Sequence, residues 1–362
     1  MTRSPIRVLL TNDDGPPSND SPYVLGLYLE LKKLGWDVRV VIPASQKSWI
    51  GGWLGLVMDR ANPQQYVIRD VIHGQYFYPK EDGTGEKCDK PRPLEDGEVG
   101  EWVLLEGTPA TCTNIALHTL YPGEIDLVVS GPNFGRNTGT AFVLSSGTIG
   151  AAMSSALSQT RSIALSYATF EHASPPEHNA AADALAGRII KQLWENWGTD
   201  KNGLRLNEVD LYNVNIPMTE QLLKPGGVEV CWTTVWANSY AKLFKPQSEG
   251  GTNVSAAGPD APPATASAPV QSSIPSNDQL QLGQEKGHLT SNQTSISAKP
   301  QPPKLAFAFA YSPDKRNSNS PALAGTDAWA INRNKSSVTP LRAGFCPGGE
   351  GEEIAAGTIW KW

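Results

Sequence analysis

Cysteine is scarce in this chain. Four are spread over 362 residues, Cys88, Cys112, Cys231 and Cys346, with no Cys-x-x-Cys pair. That argues against a zinc site and leaves buried or inert thiols as the plain reading. No block of like charge stands out either. Thirty basic residues against 36 acidic ones give a formal net charge of −6, so nothing suggests a basic surface for a nucleic-acid duplex. An anionic substrate would have to be drawn in by a metal or a local pocket, against the overall field. No apolar run is long enough to span a membrane. Nor does the start read as a signal peptide, because Pro5 and Arg7 lead straight into Val8-Leu9-Leu10, too short for the apolar core of one. A soluble cytoplasmic protein with no membrane partner is the expectation.

What is present is ordinary for a globular protein: 39% hydrophobic and 18% charged residues. Gly (34) and Pro (29) are plentiful, and much of the excess falls between Gln247 and Pro302. That stretch is rich in Ser, Pro, Gly, Ala, Asn and Gln and nearly empty of aromatics, so it cannot bury enough apolar surface to offset its conformational entropy. It reads as a disordered linker or long loop at 247–302, inserted within a single domain spanning 1–362. On either side, short apolar strands alternate with helical periodicity. Ile6–Thr11 is a strand, Pro22–Leu34 a helix with Tyr23, Leu27, Leu31 and Leu34 on one face, and Val38–Ile42 a strand closed by Pro43. Between Gly51 and Glu101 the pattern is irregular and suggests a hairpin excursion with loops. Further strands are expected at 102–106, 125–130, 162–167, 211–216, 305–311 and 338–341. Helices are expected at 108–120, 146–157 and 177–197, with a helical piece from Gly325. The alternation specifies an α/β fold: a Rossmann-like, doubly wound, mostly parallel sheet with a β-hairpin excursion and a C-terminal extension.

In such a sheet, ligands collect outside the carboxyl ends of the strands. Three polar groups fall there: Asn12, Asp13 and Asp14 after the first strand, Ser45, Lys47 and Ser48 after the second, and Ser130, Gly131 and Asn133 after the fourth. Asn-Asp-Asp-Gly by itself is a good turn sequence. Two adjacent carboxylates repel, however, and with a hydroxyl and an amide oxygen they form a hard all-oxygen set suited to Mg²⁺ or Mn²⁺, with Ca²⁺ as another occupant. Ser146-Gly147-Thr148 opens a helix rich in small residues. It reads either as a phosphate cradle or as ordinary helix capping. The same choice arises at Gly107-Thr108-Pro109, where capping with Pro in the first turn is the stronger reading. None of the five histidines falls in these turns, so a His relay is poorly supported. Trp49 and Trp53, which follow Ser48, could stack on a base.

Taken together, these blocks resemble the SurE family of survival-protein nucleotidases. Val8–Gly15 resembles its opening signature, Val41–Ser48 its second loop, Gly107–Ala110 a third block, and Asp126–Asn133 with Ser146-Gly147-Thr148 its central block. Asn213–Pro217, Gly325–Asp327 and Val338–Leu341 match weaker late blocks. The resemblance implies a SurE-like fold and a metal-dependent phosphomonoester hydrolase, a 5′/3′-nucleotidase or acid phosphatase, with short-chain polyphosphate as an alternative substrate. It implies Asp13, Asp14, Ser48 and Asn133 as metal ligands. It also implies Asp13, Asp14 and Asn133 in catalysis, and a homodimer or homotetramer. Asn12, Ser48, Gly131, Ser146, Gly147 and Thr148 are the expected contacts to the phosphate of a small substrate such as a nucleoside monophosphate.

Three rivals stand beside it. A phosphatase forming an aspartyl-phosphate generally wants Asp-x-Asp spacing, whereas Asp13 and Asp14 are adjacent. A sugar-nucleotide transferase expects a second complete nucleotide-binding domain. A non-catalytic nucleotide- or phosphate-binding protein would keep the fold without turnover.

Overall fold

The computed structural model describes residues 5–47, 71–169, 175–239, 244–246, 307–309 and 322–344. Ser48, Trp49, Trp53, Cys346 and the expected loop at 247–302 lie outside them.

The chain opens with β1 (Arg7–Thr11), α1 (Val24–Lys33) and β2 (Asp37–Pro43). Then come a hairpin, β3 (Gly74–Pro79) and β4 (Gly85–Cys88), followed by β5 (Trp102–Leu105) and α2 (Pro109–Ile115), which loosens into a π-helical turn over Ala116–Leu120. Next are β6 (Leu127–Phe134), α3 (Thr140–Ser145), α4 (Gly147–Leu157), β7 (Arg161–Ala168), α5 (Pro176–Glu195), β8 (Leu211–Pro217) and β9 (Val230–Trp232). A short antiparallel ribbon, β10 (Phe244–Pro246) and β11 (Phe307–Phe309), stands apart from the main sheet. The last described elements are α6 (Asp327–Ile331) and β12 (Ser336–Leu341).

Ten strands form one sheet in the order β4-β3-β5-β2-β1-β6-β7-β8-β12-β9. The run β5-β2-β1-β6-β7-β8 is parallel. The hairpin joins antiparallel at one edge, and β12 joins β8 antiparallel near the other. Both faces are covered, which explains why the central strands are apolar throughout instead of alternating with polar residues. Side chains of successive residues still point to opposite faces. Val8 and Leu10 enter the core beneath α1 and α5, while Leu9 enters the core beneath α2; Val40 and Ile42 divide from Val41 in the same way. On α1, Val24, Leu27, Tyr28 and Leu31 form the buried stripe. Leu27 and Leu31 are fully buried, so truncating either to Ala would cost about 2–5 kcal/mol.

The expected α/β architecture is present, with four differences. The strand expected to stop at Ser130 continues to Phe134, stepping in register between Ser130 and Asn133 beside a cis Gly131–Pro132 bond. The helix expected over 108–120 is a seven-residue α-helix plus the π turn. Helix α3 follows directly on Gly139, whose φ of +80° starts a new element where the sequence reads as loop. Strand β9 is three residues long, too short to display a period.

Candidate metal and phosphate site

Strand β1 lies between β2 and β6, so the chain leaves it in one direction first and returns on the other side later. That reversal opens a crevice at the carboxyl ends of β1 and β6, and Asp13 and Asp14 lie in it. The turn carrying them is built by Asn12. Its Oδ1 accepts the Gly15 N–H at 3.0 Å, and its Nδ2 donates to the Gly15 carbonyl at 2.8 Å and to Ser21 Oγ at 3.3 Å. Gly15 takes a φ of +84°, where an L side chain would be strained. The loop after β2 is tied to the same turn, because the Lys47 N–H donates to the Asp13 carbonyl at 2.6 Å.

The two carboxylates are buried and face different partners. Asp13 Oδ1 accepts the Thr148 hydroxyl at 2.7 Å. Helix α4 comes so close that a Cβ on Gly147 would lie 2.9 Å from Asp13 Cβ and 3.0 Å from its Oδ2. The first turn of α4 therefore directs its positive end at Asp13. Asp14 Oδ2 accepts the Phe134 N–H at 2.8 Å, whereas its Oδ1 is buried with no well-formed hydrogen bond among the described residues, although the Gln46 side chain lies near enough to favour the ionised carboxyl. Asn133, next to Phe134, donates Nδ2 to the Gly135 carbonyl at 2.7 Å. Burial pushes both carboxyls above the usual carboxylate range. At Asp13 the Thr148 hydroxyl opposes the shift; at Asp14 the neighbouring Asp13 adds to it.

The structure thus brings together Asp13, Asp14, Asn133, Gly147 and Thr148 from β1, β6 and α4, and it changes the roles expected of several residues. Asn12 is fully buried and holds the turn together, so it is a scaffold residue and not a phosphate contact. Thr148 gives its hydroxyl to Asp13. Ser146 caps α4, its Oγ accepting the Ile149 N–H at 3.3 Å. Gly131 is needed because a Cβ there would lie 2.1 Å from the Leu165 carbonyl oxygen. Thr108 caps α2, with Pro109 in its first turn, as expected. The place of Ser48 is outside the described residues.

Sequence reasoning missed a second layer. The loop 135–141 beside Asn133 rests on a buried amide network. Asn215 Oδ1 accepts the Asn137 N–H at 2.8 Å, Asn213 Nδ2 donates to the Asn137 carbonyl at 2.8 Å, and Asn137 Nδ2 donates to Ser166 Oγ at 2.9 Å. Asp327, from α6, closes the far side: its Oδ2 accepts the Gly139 N–H and its Oδ1 the Trp236 N–H, both at 2.9 Å. A signal for this layer exists in the sequence. Asn213 and Asn215 sit two apart on a strand that is otherwise apolar, hence on one face, and buried amides need partners. Among the described residues, one trio of acidic side chains lies within shared ligand distance, Glu86, Glu95 and Glu98. Arg92 already pairs with all three, at 2.9, 3.7 and 2.7 Å respectively.

Comparison with known proteins gives the family. A family model described as "Survival protein SurE" matches residues 8–242. "5'-nucleotidase SurE" of Desulfovibrio desulfuricans is 32% identical over 244 residues, covering 67% of this chain and 79% of that protein. "Probable tubulin--tyrosine ligase PBY1" of Saccharomyces cerevisiae is 34% identical over 263 residues; this chain spans about a third of its length (32%). The crystal structure of SurE from Aquifex aeolicus superposes with a TM-score of 0.53 at 20% identity, covering 94% of both chains, and so shares the fold. With the family match running from β1 past β9 and including Asp13, Asp14, Asn133 and Thr148, this chain belongs to the survival protein SurE family.

Proposed function

We propose that this protein is a metal-dependent phosphomonoester hydrolase acting on nucleoside monophosphates, a 5′/3′-nucleotidase. The observation that carries the reading is the adjacent buried pair Asp13-Asp14 at the switch point, one of whose oxygens, Asp14 Oδ1, makes no well-formed hydrogen bond among the described residues, the nearby Gln46 side chain notwithstanding. Two buried carboxyls side by side, both raised in pKa, form an unfavourable arrangement that a divalent cation would relieve. The donor set is all oxygen and therefore suits Mg²⁺ or Mn²⁺. Asp13, Asp14 and Asn133 would hold the ion, with Ser48 as a fourth ligand. Relatives named 5′-nucleotidase support the activity. The ligase name belongs to a protein matched over only 32% of its length, and the ligase activity is not carried over.

A bound ion would neutralise phosphoryl charge and lower the pKa of a coordinated water. The chain's own groups do the rest. Thr148 and the first turn of α4 hold Asp13 in one orientation. The Phe134 N–H holds Asp14 through one oxygen, Oδ2. The first turn of α4 is directed at Asp13 and at its own cap: the Thr148 N–H favours the ionised Asp13 carboxyl, and the Ile149 N–H goes to Ser146 Oγ. Once ionised, Asp13 and Asp14 are the bases within reach of a proton released in the site. Catalysis of this kind consists mostly of positioning and charge stabilisation. Hydrolysis of a generic aryl phosphate should be abolished by EDTA and restored by Mg²⁺ or Mn²⁺. Full activity of an Asp13→Ala variant in chelator would defeat the reading.

A further inference from the structure

Behind the site, on the α1–α5 face of the sheet, lies a buried acid that the proposed chemistry does not use. Asp183, from α5, is 7% exposed, and its Oδ1 accepts the Tyr167 hydroxyl at 2.6 Å. Its other oxygen sits over Gly26 of α1, where a Cβ would come within 2.2 Å of it. The arrangement is reciprocal: one turn further along, Glu30 of α1 lies over Gly187 of α5, its Cγ 3.1 Å from where a Cβ would be. Each helix thus presses a carboxyl side chain onto a glycine of the other, and Asp183 is the deeper of the two.

From Asp183 an unbroken series of contacts leads to Asp14. The Tyr167 ring packs on Tyr23 at 5.0 Å between centroids, and Tyr23 packs edge-on against Phe134 at 5.5 Å. Tyr167 is also the β7 partner of Phe134 in the sheet, and its carbonyl accepts the Gly135 N–H at 3.1 Å. Phe134 then donates its own N–H to Asp14 Oδ2. The ring of Tyr167 and its backbone thus set the position of the peptide that orients Asp14.

We propose that Asp183 is a positioning residue for the Asp13-Asp14 site, holding the Phe134 amide on Asp14 through Tyr167 and Tyr23 while neutral and loosening it when ionised. Among the described residues an ionised carboxyl at this depth receives one hydrogen bond, from Tyr167, and poorly paired buried charge is costly. The charged and titratable groups facing it are Tyr167 from β7, with Tyr23 beside that ring, and Glu30 and Lys33 from α1. Burial and Glu30 oppose ionisation; the Tyr167 hydroxyl favours it but cannot offset burial, and Lys33 favours it less and is itself paired to Glu30 at 3.3 Å on the exposed side. Relief comes from admitting water between α1 and α5, which displaces Tyr23 at the start of α1 and with it Phe134. Burial, with Glu30 adding to it, raises the Asp183 carboxyl to about 7, so the change falls at near-neutral pH. Its consequence for turnover rests on the hydrolase reading above; its consequence for the Phe134 amide does not.

The test is hydrogen–deuterium exchange on the full chain at about pH 6 and pH 8, corrected for the intrinsic pH dependence of exchange, following peptides that contain Phe134. In the wild type, protection there should fall about tenfold between the two pH values, a change a single ionisation of this size can drive. Asp183→Asn keeps an acceptor for Tyr167 and cannot ionise, so its protection should stay flat. Tyr167→Phe keeps the ring and loses the bond, and should show the loosened state at both pH values. In parallel, kcat for an aryl phosphate should decline over the same interval in the wild type but not in Asp183→Asn. Equal pH dependence of Phe134 protection in wild type and Asp183→Asn would overturn the inference, as would full protection in Tyr167→Phe. If the wild type hydrolyses no phosphomonoester, the functional reading fails, and the exchange data decide the role of Asp183 on their own.

Discussion

The close approach of α4 to Asp13 can be probed with one methyl group. In Gly147→Ala the new Cβ would lie 2.9 Å from Asp13 Cβ and 3.0 Å from Oδ2. Ordinary carbon contacts begin near 3.4 Å, so about 0.5 Å must be found. Asp13 Cβ sits one bond from the backbone of a turn pinned by Asn12 and by the Lys47 N–H, so it cannot swing aside as a chain end would. Either the carboxylate rotates off Thr148 or the first turn of α4 lifts. Overpacking of this size costs about 1–3 kcal/mol, while replacing Gly by Ala in a helix returns roughly 0.5–1 kcal/mol. The net loss of stability is therefore small, about 0–2.5 kcal/mol. The effect on reaction geometry is larger, because misplacing a reacting group by about 1 Å can cost on the order of a hundredfold in rate; half that displacement should cost about tenfold in kcat/KM. Steady-state kinetics and thermal melts on the same preparation separate the two effects. Unchanged kcat/KM in a folded variant would refute the argument that α4 sets Asp13. So would an activity loss fully accounted for by the unfolded fraction.

Thr148→Val is near-isosteric and leaves Asp13 Oδ1 without its hydroxyl partner, a loss of about 1–3 kcal/mol. Since the Thr148 bond lowers the Asp13 pKa, its removal should move the acid limb of the pH–rate profile to higher pH; an unmoved limb would show that the bond does not hold the ionised form. Asp183 makes a separate statement about stability. Unfolded, it ionises near 3.8; folded, near 7. Below 3.8 both states are protonated and there is no penalty. Between the two values only the folded state keeps the proton, so stability falls as pH rises, by about 4 kcal/mol in all, and levels off above 7. Asp183→Asn should therefore melt higher than wild type at about pH 8, with the gap closing at about pH 4; melting curves that stay parallel would contradict it.

Much of the fold and the centre of the site are legible in the amino-acid sequence. The apolar strands of β1, β2, β6 and β7 announce burial on both faces, and the acidic pair after β1 falls where a parallel sheet collects ligands. What the sequence could not assign was the use of each polar atom. Asn12, Ser146 and Thr148 are the right residue types for binding phosphate and equally the right types for a turn, a cap and a carboxylate partner. Only distances separate those roles. Asn137 and Asp327 were hidden for another reason: the partners that tie the loop down lie 29 to 188 residues away in sequence. Asn213 and Asn215 leave a trace, two amides on one face of an apolar strand, but nothing in the local pattern names Asn137 as what they hold. Helix α3 and strand β9 escaped because six and three residues hold too little periodicity to register.

The bond between Asp327 and the Gly139 N–H spans 188 residues, and that sets an order of events during biosynthesis. At a ribosomal rate of about 5–20 residues per second, roughly 10–40 s separate the appearance of the 135–141 loop from the arrival of the carboxylate that fixes it. Throughout that interval the strands from β1 to β8 can already pair. A nascent chain, or one clipped between β9 and α6, would have its acidic pair in place but lack the latch on the loop beside it. The latch on this loop is thus a late arrival, withheld until residue 327 has been made.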